Sequence, residues 1–336
     1  MKTVTPAPII RWGIIGCGNV TEAKSGPALQ QAPHSELAAV MRRDGDKARD
    51  YAERHNVPRW YSDATALIND TGVNTVYVAT PPSTHKQYAL SSIAAGKPVY
   101  VEKPMAMNHA ECNAIVNASL ATGVPVFVAY YSRALPRFKT IRQLLFQKQV
   151  IGRPRIVNAV LYEPHHSRYH DPQDLPWRVR PTISGGGIFV DLGCHTLDIL
   201  DWLFGPIKAV GAQTSNQIGA YAPEDTVAMA FSFGSGVLGC AIWNFGSFEY
   251  YDRVEVVGDT GRIHFAMFGN GPICVDNVEG SRIFHVNNPR YIQQPLIDMI
   301  VAELRGQAGA SPSNAVSAAR TNWVIDQVLG TYHNPL

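Results

Sequence analysis

The sequence predicts an α/β domain with a parallel sheet, followed by an α+β domain with a large open, mainly antiparallel sheet. In the first 130 residues, continuous apolar strands alternate with helical patterns, which is typical of a parallel sheet covered on both faces. Between residues 209 and 286, short strands are separated by Gly, Asn and Asp, as in antiparallel sheets. A chain of 336 residues also exceeds one ordinary core. We therefore expect domains at 1–130 and 131–336, and the pattern allows the last helices to pack back on the first domain.

The elements of the first domain follow from apolar runs and from the residues that stop them. A predicted helix at 85–95 ends at Gly96, with Pro98 beyond it, and another at 109–122 ends at Gly123. The strand at 75–79 is stopped by two prolines, Pro81 and Pro82. The remaining predicted strands lie at 9–15, 36–41, 99–102 and 124–129.

The second domain begins with a predicted amphipathic helix at 135–147 and an alternating strand at 155–162. A long helix is predicted at 185–204, because Gly205 and Pro206 follow an apolar pattern. Further strands are predicted at 209–214, 226–233, 236–243, 253–257, 261–265 and 273–275, and closing helices at 294–304 and 314–329.

Composition excludes several classes of protein. A formal net charge of +2 without a Lys/Arg run argues against a nucleic-acid or membrane surface. No apolar stretch reaches 18 residues, and the N-terminal residues show no signal-peptide pattern. The five scattered cysteines form no Cys-x-x-Cys pair, which favours reduced thiols and a cytoplasmic location.

A glycine turn at Gly16-Cys17-Gly18 indicates a dinucleotide site, because it follows a strand and precedes a helix of small residues. The first glycine permits a tight turn, and Gly18 lets the backbone approach a pyrophosphate. Thr21 replaces the third glycine of the usual pattern, so slightly looser helix–strand packing is expected.

The end of the second strand should meet the adenosine ribose. It carries Arg42 and Arg43, whose guanidinium groups would pair with a 2′-phosphate, so NADP is favoured over NAD. The alternative is that both arginines are solvated and that Asp44 binds the ribose of NAD.

Two further segments carry groups suited to chemistry. Lys103 follows a buried strand, at the edge where parallel sheets bind their substrates. Asp191 and His195 are four residues apart, so on a helix they share a face, which also carries Asp198. A carboxylate beside an imidazole suits proton exchange near neutral pH, although a buried structural pair is the alternative.

Taken together, these motifs resemble the Gfo/Idh/MocA oxidoreductases, the glucose–fructose oxidoreductase and inositol dehydrogenase family. The matching segments, in order, are Gly13 to Gly18, Ala79-Thr80-Pro81-Pro82 with His85, Glu102-Lys103-Pro104, and Gly185-Gly186-Gly187 through Asp191, Gly193, His195 and Asp198. The resemblance implies an N-terminal Rossmann domain and a C-terminal domain with an open antiparallel sheet. It also implies that Lys103 binds the reacting oxygen and the cofactor ribose, that His195 is the general acid/base, and that Asp191 assists it. The cofactor is then expected to contact Gly16, Gly18, Asn19, Val20, Arg42, Arg43, Thr80, Pro81, His85, Glu102 and Lys103.

Substrate contacts are expected from Tyr131, Tyr162, Trp177, Arg178, Asp191 and His195. An aromatic ring with adjacent donors suits a sugar, whereas domain packing is the alternative role for Trp177. The loop at 163–171 is rich in histidine, and a sugar-facing or solvated loop is favoured there over a metal site at His166 and His170. No metal is therefore expected.

The favoured function is hydride transfer between NAD(P) and a sugar, a cyclic polyol or a related carbinol or carbonyl carbon. One alternative is a glycosidase that uses NAD for transient oxidation and elimination, and another is a non-catalytic metabolite sensor. A homo-oligomer, a dimer or tetramer, is expected through the C-terminal sheet. The reason is that the strand at 236–243 is apolar on both alternations, and the resemblance implies the same assembly.

Overall fold

The computed structural model describes residues 6–169, 171 and 173–333. The N-terminal residues, on which the expectation about a signal peptide mainly depends, lie outside this range. His170, considered above as a metal ligand, also lies outside it. Contacts divide the chain into two compact units. Unit 1 contains the residues up to Ala134 and Pro289–Ala319, and unit 2 contains Leu135–Asn288 and the residues from Arg320 onward.

Fourteen strands are described. They are β1 (Ile10–Ile15), β2 (Ser35–Met41), β3 (Trp60–Tyr61), β4 (Thr75–Val78), β5 (Val99–Val101), β6 (Val126–Val128), β7 (Pro154–Tyr162), β8 (Ile207–Ser215), β9 (Thr226–Phe233), β10 (Leu238–Asn244), β11 (Tyr251–Gly258), β12 (Gly261–Phe265), β13 (Ile273–Asn277) and β14 (Gly280–Phe284).

Eleven α-helices are described, besides short 3₁₀ and π turns. They are α1 (Asn19–Ala23), α2 (Gly26–Gln31), α3 (Gly45–Arg54), α4 (Ala64–Asn69), α5 (His85–Ala94), α6 (His109–Thr122), α7 (Pro136–Arg142), α8 (Pro181–Ser184), α9 (Cys194–Phe204), α10 (Gln294–Leu304) and α11 (Ala315–His333). No helix in the described part of the chain is long and apolar enough to cross a membrane.

Unit 1 is built on a six-stranded parallel sheet in the order β3-β2-β1-β4-β5-β6. Its strands are almost entirely buried, as expected for a parallel sheet covered on both faces. Trp12, Tyr77, Tyr100 and Phe127 fill the core beside apolar residues of α10. The carboxyl ends of β1, β4 and β5 consequently lie side by side at one edge, where the glycine turn, Thr80 and Lys103 follow them.

Unit 2 is built on an eight-stranded sheet in the order β14-β13-β12-β11-β7-β10-β9-β8. Every neighbouring pair is antiparallel except β7 and β10, which run parallel. On one face, Trp243 meets Phe189 with ring centroids 5.0 Å apart, and Phe233 meets Phe204 of α9 at 5.3 Å. The predicted fold class, a parallel α/β domain with a mainly antiparallel α+β domain, is therefore confirmed.

The helix predicted at 185–204 is only partly right, because helical residues run from Ile188 to Phe204 and the three glycines at the predicted start lie outside the helix. Helix α8 ends at Ser184 and is followed by Gly185, which adopts a left-handed φ of +83°, and a π turn at Phe189–Gly193 leads directly into α9. Gly193 is required in this wide turn, because a Cβ there would lie 2.6 Å from the ring of Phe189. The apolar pattern continues through all three pieces, so hydrophobicity alone does not reveal the interruptions.

Candidate active site

The glycine turn of unit 1 has the geometry expected of a dinucleotide site. Gly16 has a φ of +95°, and a Cβ there would lie 2.9 Å from the backbone nitrogen of Thr80, so only glycine fits. At Gly18 a Cβ would meet nothing closer than 3.9 Å, which leaves the main chain accessible. The Thr21 and Glu22 amides of α1 donate to the Gly18 carbonyl oxygen at 2.9 and 3.0 Å, so an anion would be bound through the amides of Asn19 and Val20 at the start of the helix. These features fit a bound pyrophosphate.

Thr21 stands where the usual pattern has a third glycine, and it is fully buried. Its hydroxyl accepts from the Gly18 amide at 3.0 Å and donates to the Gly18 carbonyl at 2.8 Å. The threonine thus ties α1 to the glycine turn. The glycine that this packing requires is Gly26, where a Cβ would lie 2.2 Å from the Thr21 carbonyl oxygen.

The end of β2 places Arg42 beside this turn. Its guanidinium Nη1 lies 3.4 Å from the Cys17 carbonyl oxygen and is half-buried, whereas Arg43 is exposed. Asp44 caps α3 by accepting the Lys47 amide at 3.2 Å, and it also pairs with the Lys47 ammonium at 3.1 Å. These bonds, chiefly the one from the amide, hold the pKa of Asp44 below its usual range.

The end of β5 places Lys103 at the same edge of the sheet. Glu102 is buried and accepts from the Tyr77 hydroxyl at 2.6 Å and from the Gln293 amide at 2.7 Å. Its second carboxylate oxygen accepts the backbone N–H of Lys103 at 3.2 Å. Gln293 in turn accepts from the Tyr100 hydroxyl at 2.8 Å. The expected cofactor ligand Glu102 is therefore engaged inside the protein, where it supports the lysine that follows it.

The segment after β4 carries the other expected cofactor residues. Thr80 and Pro81 are partly exposed near the glycine turn. His85 is fully buried, and its ring nitrogens lie 2.6 Å from the Thr80 carbonyl oxygen and 2.9 Å from that of Pro104. The structure thus places His85 behind the surface that a cofactor would touch.

In unit 2, three of the expected substrate residues form one group. The guanidinium of Arg178 lies over the ring of Trp177, 4.6 Å from its centroid. It also donates to the Asp191 carboxylate at 3.0 Å. All three side chains are partly exposed. An aromatic face, a cation and a carboxylate are therefore presented together, which suits a ligand with several hydroxyl groups.

His195 lies in the first turn of α9, directly after the π turn that holds Asp191. It is 4% exposed and packs edge-on against Phe268, with ring centroids 5.9 Å apart. Asp198, on the same helix, is buried and accepts from the Thr321 hydroxyl at 3.4 Å. The sequence predicted Asp198 on the face of Asp191 and His195, and the structure gives it a contact with α11.

Two residues that the sequence analysis missed, the buried Arg137 and the partly buried Asp252, fix the segment around Phe268. The Asp252 carboxylate accepts the amides of Met267 and Phe268 at 2.9 and 2.7 Å. Arg137 donates to the carbonyl oxygens of Gly269 and Ala266 at 2.7 and 2.9 Å. Burial raises the pKa of Asp252 and lowers that of Arg137. Neither residue has a local sequence signal, because Arg137 and this segment are about 130 residues apart.

A cavity of about 440 Å³ lies in unit 2, within the size range of small-molecule sites. Its polar lining includes Glu163, His165 and His166, and burial raises the pKa of Glu163. Its apolar and aromatic lining includes Ile188, Phe245 and Tyr250. The described part of the histidine-rich loop therefore faces a cavity. In the described residues no group of three His, Cys, Asp or Glu side chains is arranged to hold a metal.

Tyr131 and Tyr162, the remaining expected substrate residues, lie in different units. Tyr131 begins the turn after β6 and packs partly against the core of unit 1. Tyr162 ends β7 of unit 2 beside Tyr251, with ring centroids 6.0 Å apart. Asn19 and Val20 begin α1, exposed and partly exposed, respectively.

Glu224 carries a buried carboxyl group beside the glycine run at 185–187. We expect it to make the stability of the protein depend on pH. It is 2% exposed, its Oε1 has no hydrogen-bond partner among the described residues, and burial raises its pKa from 4.5 to about 7. A raised pKa means that the folded state favours the neutral form. The contribution of Glu224 to the free energy of unfolding is therefore fully present below the pKa of the unfolded state and is lost as the pH rises through about 7.

Glu224→Gln should therefore remove this loss. We expect the variant to match the parent near pH 4 and to be more stable by about 3 kcal/mol at about pH 8. Urea unfolding at both pH values measures the difference. An equal effect at both values would contradict the assigned pKa.

Comparison with known proteins finds two family models that match in succession along the chain. Residues 10–130 match the model of the oxidoreductase family with an NAD-binding Rossmann fold, GFO_IDH_MocA. Residues 138–264 match the GFO/IDH/MocA C-terminal domain.

Individual relatives agree with these matches. Oxidoreductase P35 of Formosa agariphila is 38% identical over 96% of this chain and 99% of its own. Trans-1,2-dihydrobenzene-1,2-diol dehydrogenase of Mus musculus is 32% identical over 68% of this chain and 67% of its own. Aldose-aldose oxidoreductase of Caulobacter crescentus has the same fold, with a TM-score of 0.84 at 23% identity, covering 97% and 98% of the two chains.

The resemblance found in the sequence is confirmed. The glycine turn, the lysine at the end of β5 and the Asp191–His195 segment occur on a Rossmann domain and a C-terminal sheet domain that both match one family. The chain belongs to the Gfo/Idh/MocA family and is an NAD(P)-dependent oxidoreductase.

Proposed function

We propose that the protein transfers hydride between the nicotinamide of NAD(P) and a carbinol or carbonyl carbon of a sugar or cyclic polyol. The observation that carries this proposal is the group formed by Trp177, Arg178 and Asp191, in which Asp191 lies four residues before His195. A stacked aromatic–guanidinium pair bound to a carboxylate offers a flat face together with donors and acceptors. Such a surface suits a ring that carries several hydroxyl groups.

The roles of the residues follow from their chemistry. The cofactor would be held by Gly16, Gly18 and Arg42, and when bound it supplies the hydride acceptor or donor. His195 removes the hydroxyl proton when the substrate is oxidised and returns it on reduction. The Lys103 ammonium stabilises the negative charge that develops on the same oxygen. Asp191 holds Arg178 and contributes an acceptor for a neighbouring hydroxyl.

The cavity in unit 2 supports a substrate with several polar groups, because carboxyl and imidazole groups stand beside apolar walls there. The relatives' names point the same way. One acts on a cyclic vicinal diol, and one of the same fold acts on aldoses. The histidine-rich loop is then a sugar-facing loop.

A cofactor-fluorescence and absorbance screen against sugars, cyclic polyols and their keto forms tests this function. The expected result is stoichiometric consumption of NAD(P)⁺ or NAD(P)H with at least one member of the panel. Cleavage of a glycoside without net consumption of cofactor would instead identify the eliminating glycosidase. Saturable binding of a sugar without turnover would indicate a sensor.

NADP is proposed as the preferred cofactor. Arg42 lies against the glycine turn, and Asp44 is already engaged by Lys47, so the arginine rather than the carboxylate is available to the ribose. A guanidinium in this position pairs with a 2′-phosphate, whereas a 2′-hydroxyl gains little from it.

Arg42→Ala is therefore expected to weaken NADPH binding by about 10- to 100-fold and NADH binding far less. Arg43→Ala should have a smaller effect of the same sign, because that side chain is exposed. Fluorescence titration of both cofactors measures this, with Arg49→Ala on α3 as a control. Tighter binding of NADH by the parent protein would instead favour Asp44 as the ribose ligand.

A homodimer or a higher homo-oligomer formed through the outer face of the unit 2 sheet is also proposed. Ile156, Leu238 and Ile242 are 45%, 58% and 39% exposed, respectively, and they lie on neighbouring strands of that face. Alternate residues such as Val157 and Trp243 point to the buried face. An apolar face of this kind is commonly covered by the same face of a second subunit about a two-fold axis.

Leu238→Arg combined with Ile242→Arg should convert the oligomer to a monomer, because it places two charges in the contact. Light scattering at micromolar concentration measures the mass. Val278→Arg is the control, since Val278 is 85% exposed but lies in the turn after β13. A monomeric parent protein would refute the proposal.

A cytoplasmic location is proposed as well. The cysteines form no disulfide among the described residues, and three of the five are buried. This pattern is usual in a reducing compartment.

A further inference from the structure

His85 occupies an unusual position for a histidine next to a cofactor site. It begins α5, is fully buried and reaches two main-chain carbonyl oxygens at once. Its Nδ1 lies 2.9 Å from the Pro104 oxygen, and its Nε2 lies 2.6 Å from the Thr80 oxygen. Thr80 follows β4 and Pro104 follows Lys103 at the end of β5. One ring therefore bridges the ends of two neighbouring strands.

The two carbonyl groups determine which hydrogen bonds the ring can make. A carbonyl oxygen only accepts, so each contact is a hydrogen bond when the facing nitrogen carries a proton. Burial lowers the pKa of His85, whereas the two carbonyls and the Glu102 carboxylate oppose that effect. A neutral ring donates through only one of its two nitrogens, whereas a doubly protonated ring donates to both carbonyl oxygens.

Lys103 is held from both sides in this arrangement. Its own N–H is bound by the Glu102 carboxylate at 3.2 Å, and the carbonyl of the next residue, Pro104, is bound by His85. Glu102 is itself fixed by Tyr77 and Gln293. Two buried groups thus set the direction of the main chain from which the lysine side chain leaves.

The second contact of His85, from Nε2 to the Thr80 carbonyl oxygen, concerns the glycine turn rather than Lys103. Thr80 packs against Gly16 so closely that a Cβ there would lie 2.6 Å from the Thr80 methyl group. A displacement of Thr80 would therefore disturb the glycine turn, whereas a displacement of Pro104 would disturb Lys103.

The geometry points to His85 as a positioning residue with two separable roles: Nδ1 orients Lys103 through Pro104, and Nε2 shapes the cofactor turn through Thr80. The first role rests on the proposed function of Lys103. The second depends only on the family's binding of NAD(P). Neither role requires His85 to touch cofactor or substrate.

Isosteric variants separate the two contacts. In His85→Asn the amide nitrogen takes the place of Nδ1, so the bond to Pro104 is kept and the bond to Thr80 is lost. In His85→Gln the amide nitrogen takes the place of Nε2, so the reverse holds. We expect His85→Gln to lower kcat by about 10- to 100-fold while its cofactor Kd changes little, since a small misplacement of a catalytic group costs this much. We expect His85→Asn to raise the cofactor Kd while keeping kcat at saturating cofactor within about threefold of the parent.

The readouts are kcat at saturating cofactor, the Kd for NAD(P)H by fluorescence quenching, and Tm. Ser92→Ala is the matched control, because Ser92 is buried on the same helix and its hydroxyl donates to the Tyr88 carbonyl oxygen within that helix. A parallel loss of kcat, affinity and Tm in both variants would mean that His85 is merely structural. Unchanged kcat in His85→Gln would overturn the link to Lys103. If Lys103→Met retained activity while the effect on Kd persisted, the proposed function would fail and the second role would stand.

Discussion

His195→Ala is expected to lower kcat/KM by about 10²- to 10⁴-fold, the usual range for loss of a general acid/base. The imidazole sits at the start of α9, directly after the turn that holds Asp191. Its ring packs edge-on against Phe268, whose backbone amide donates to Asp252 and whose neighbours Ala266 and Gly269 accept from Arg137. A catalytic group whose position is fixed by packing loses little conformational entropy when it transfers a proton.

The measurement is the pH dependence of kcat/KM on the substrate identified by the screen. The parent should show an ionisation that the alanine variant lacks, since the pH dependence of kcat/KM reports the groups of the free enzyme. His264→Ala is the control, because His264 lies on β12 of the same unit. Cofactor titration and Tm show whether the variant folds. Turnover near that of the parent would remove His195 from the mechanism.

The sequence predicts the two sheets well, because each depends on local patterns. β9, β12, α6 and α10 have the predicted bounds, since apolar runs there end at turn residues or at glycine. Short elements such as β14 and α4 were missed, because five or six residues carry too little periodicity. The parallel pairing of β7 with β10 depends on segments about 80 residues apart and has no local signal.

The candidate site likewise contains residues that the sequence predicts and residues that it does not. The glycine turn and the Lys103 segment are recognisable, because the chemistry requires particular residues next to one another in the chain. The groups that hold them are not, since Gln293 reaches Glu102 across 191 residues and Glu224 is buried by folding alone. His85 was recognised, but a motif gives no indication that its ring faces two backbone carbonyls.

Lys103→Met should lower kcat/KM by about 10²-fold or more, as removal of an electrostatic stabiliser usually does. Methionine keeps an unbranched apolar stem, and the main-chain bonds to Glu102 and from His85 do not involve the lysine side chain. The backbone should therefore keep its course, so the loss would report the ammonium itself. Lys103→Arg restores a charge with a different shape and should recover only part of the activity.

Separate measurement of kcat and KM makes this prediction specific. An ammonium that acts mainly on the developing negative charge stabilises the transition state more than the bound substrate, so kcat should fall more than KM rises. The resemblance also assigns Lys103 to the cofactor ribose, and a modest increase in the NAD(P)H Kd is expected in addition. A large rise in KM with unchanged kcat would instead make Lys103 a binding residue, and the stabilisation of the oxygen would then have to come from another group.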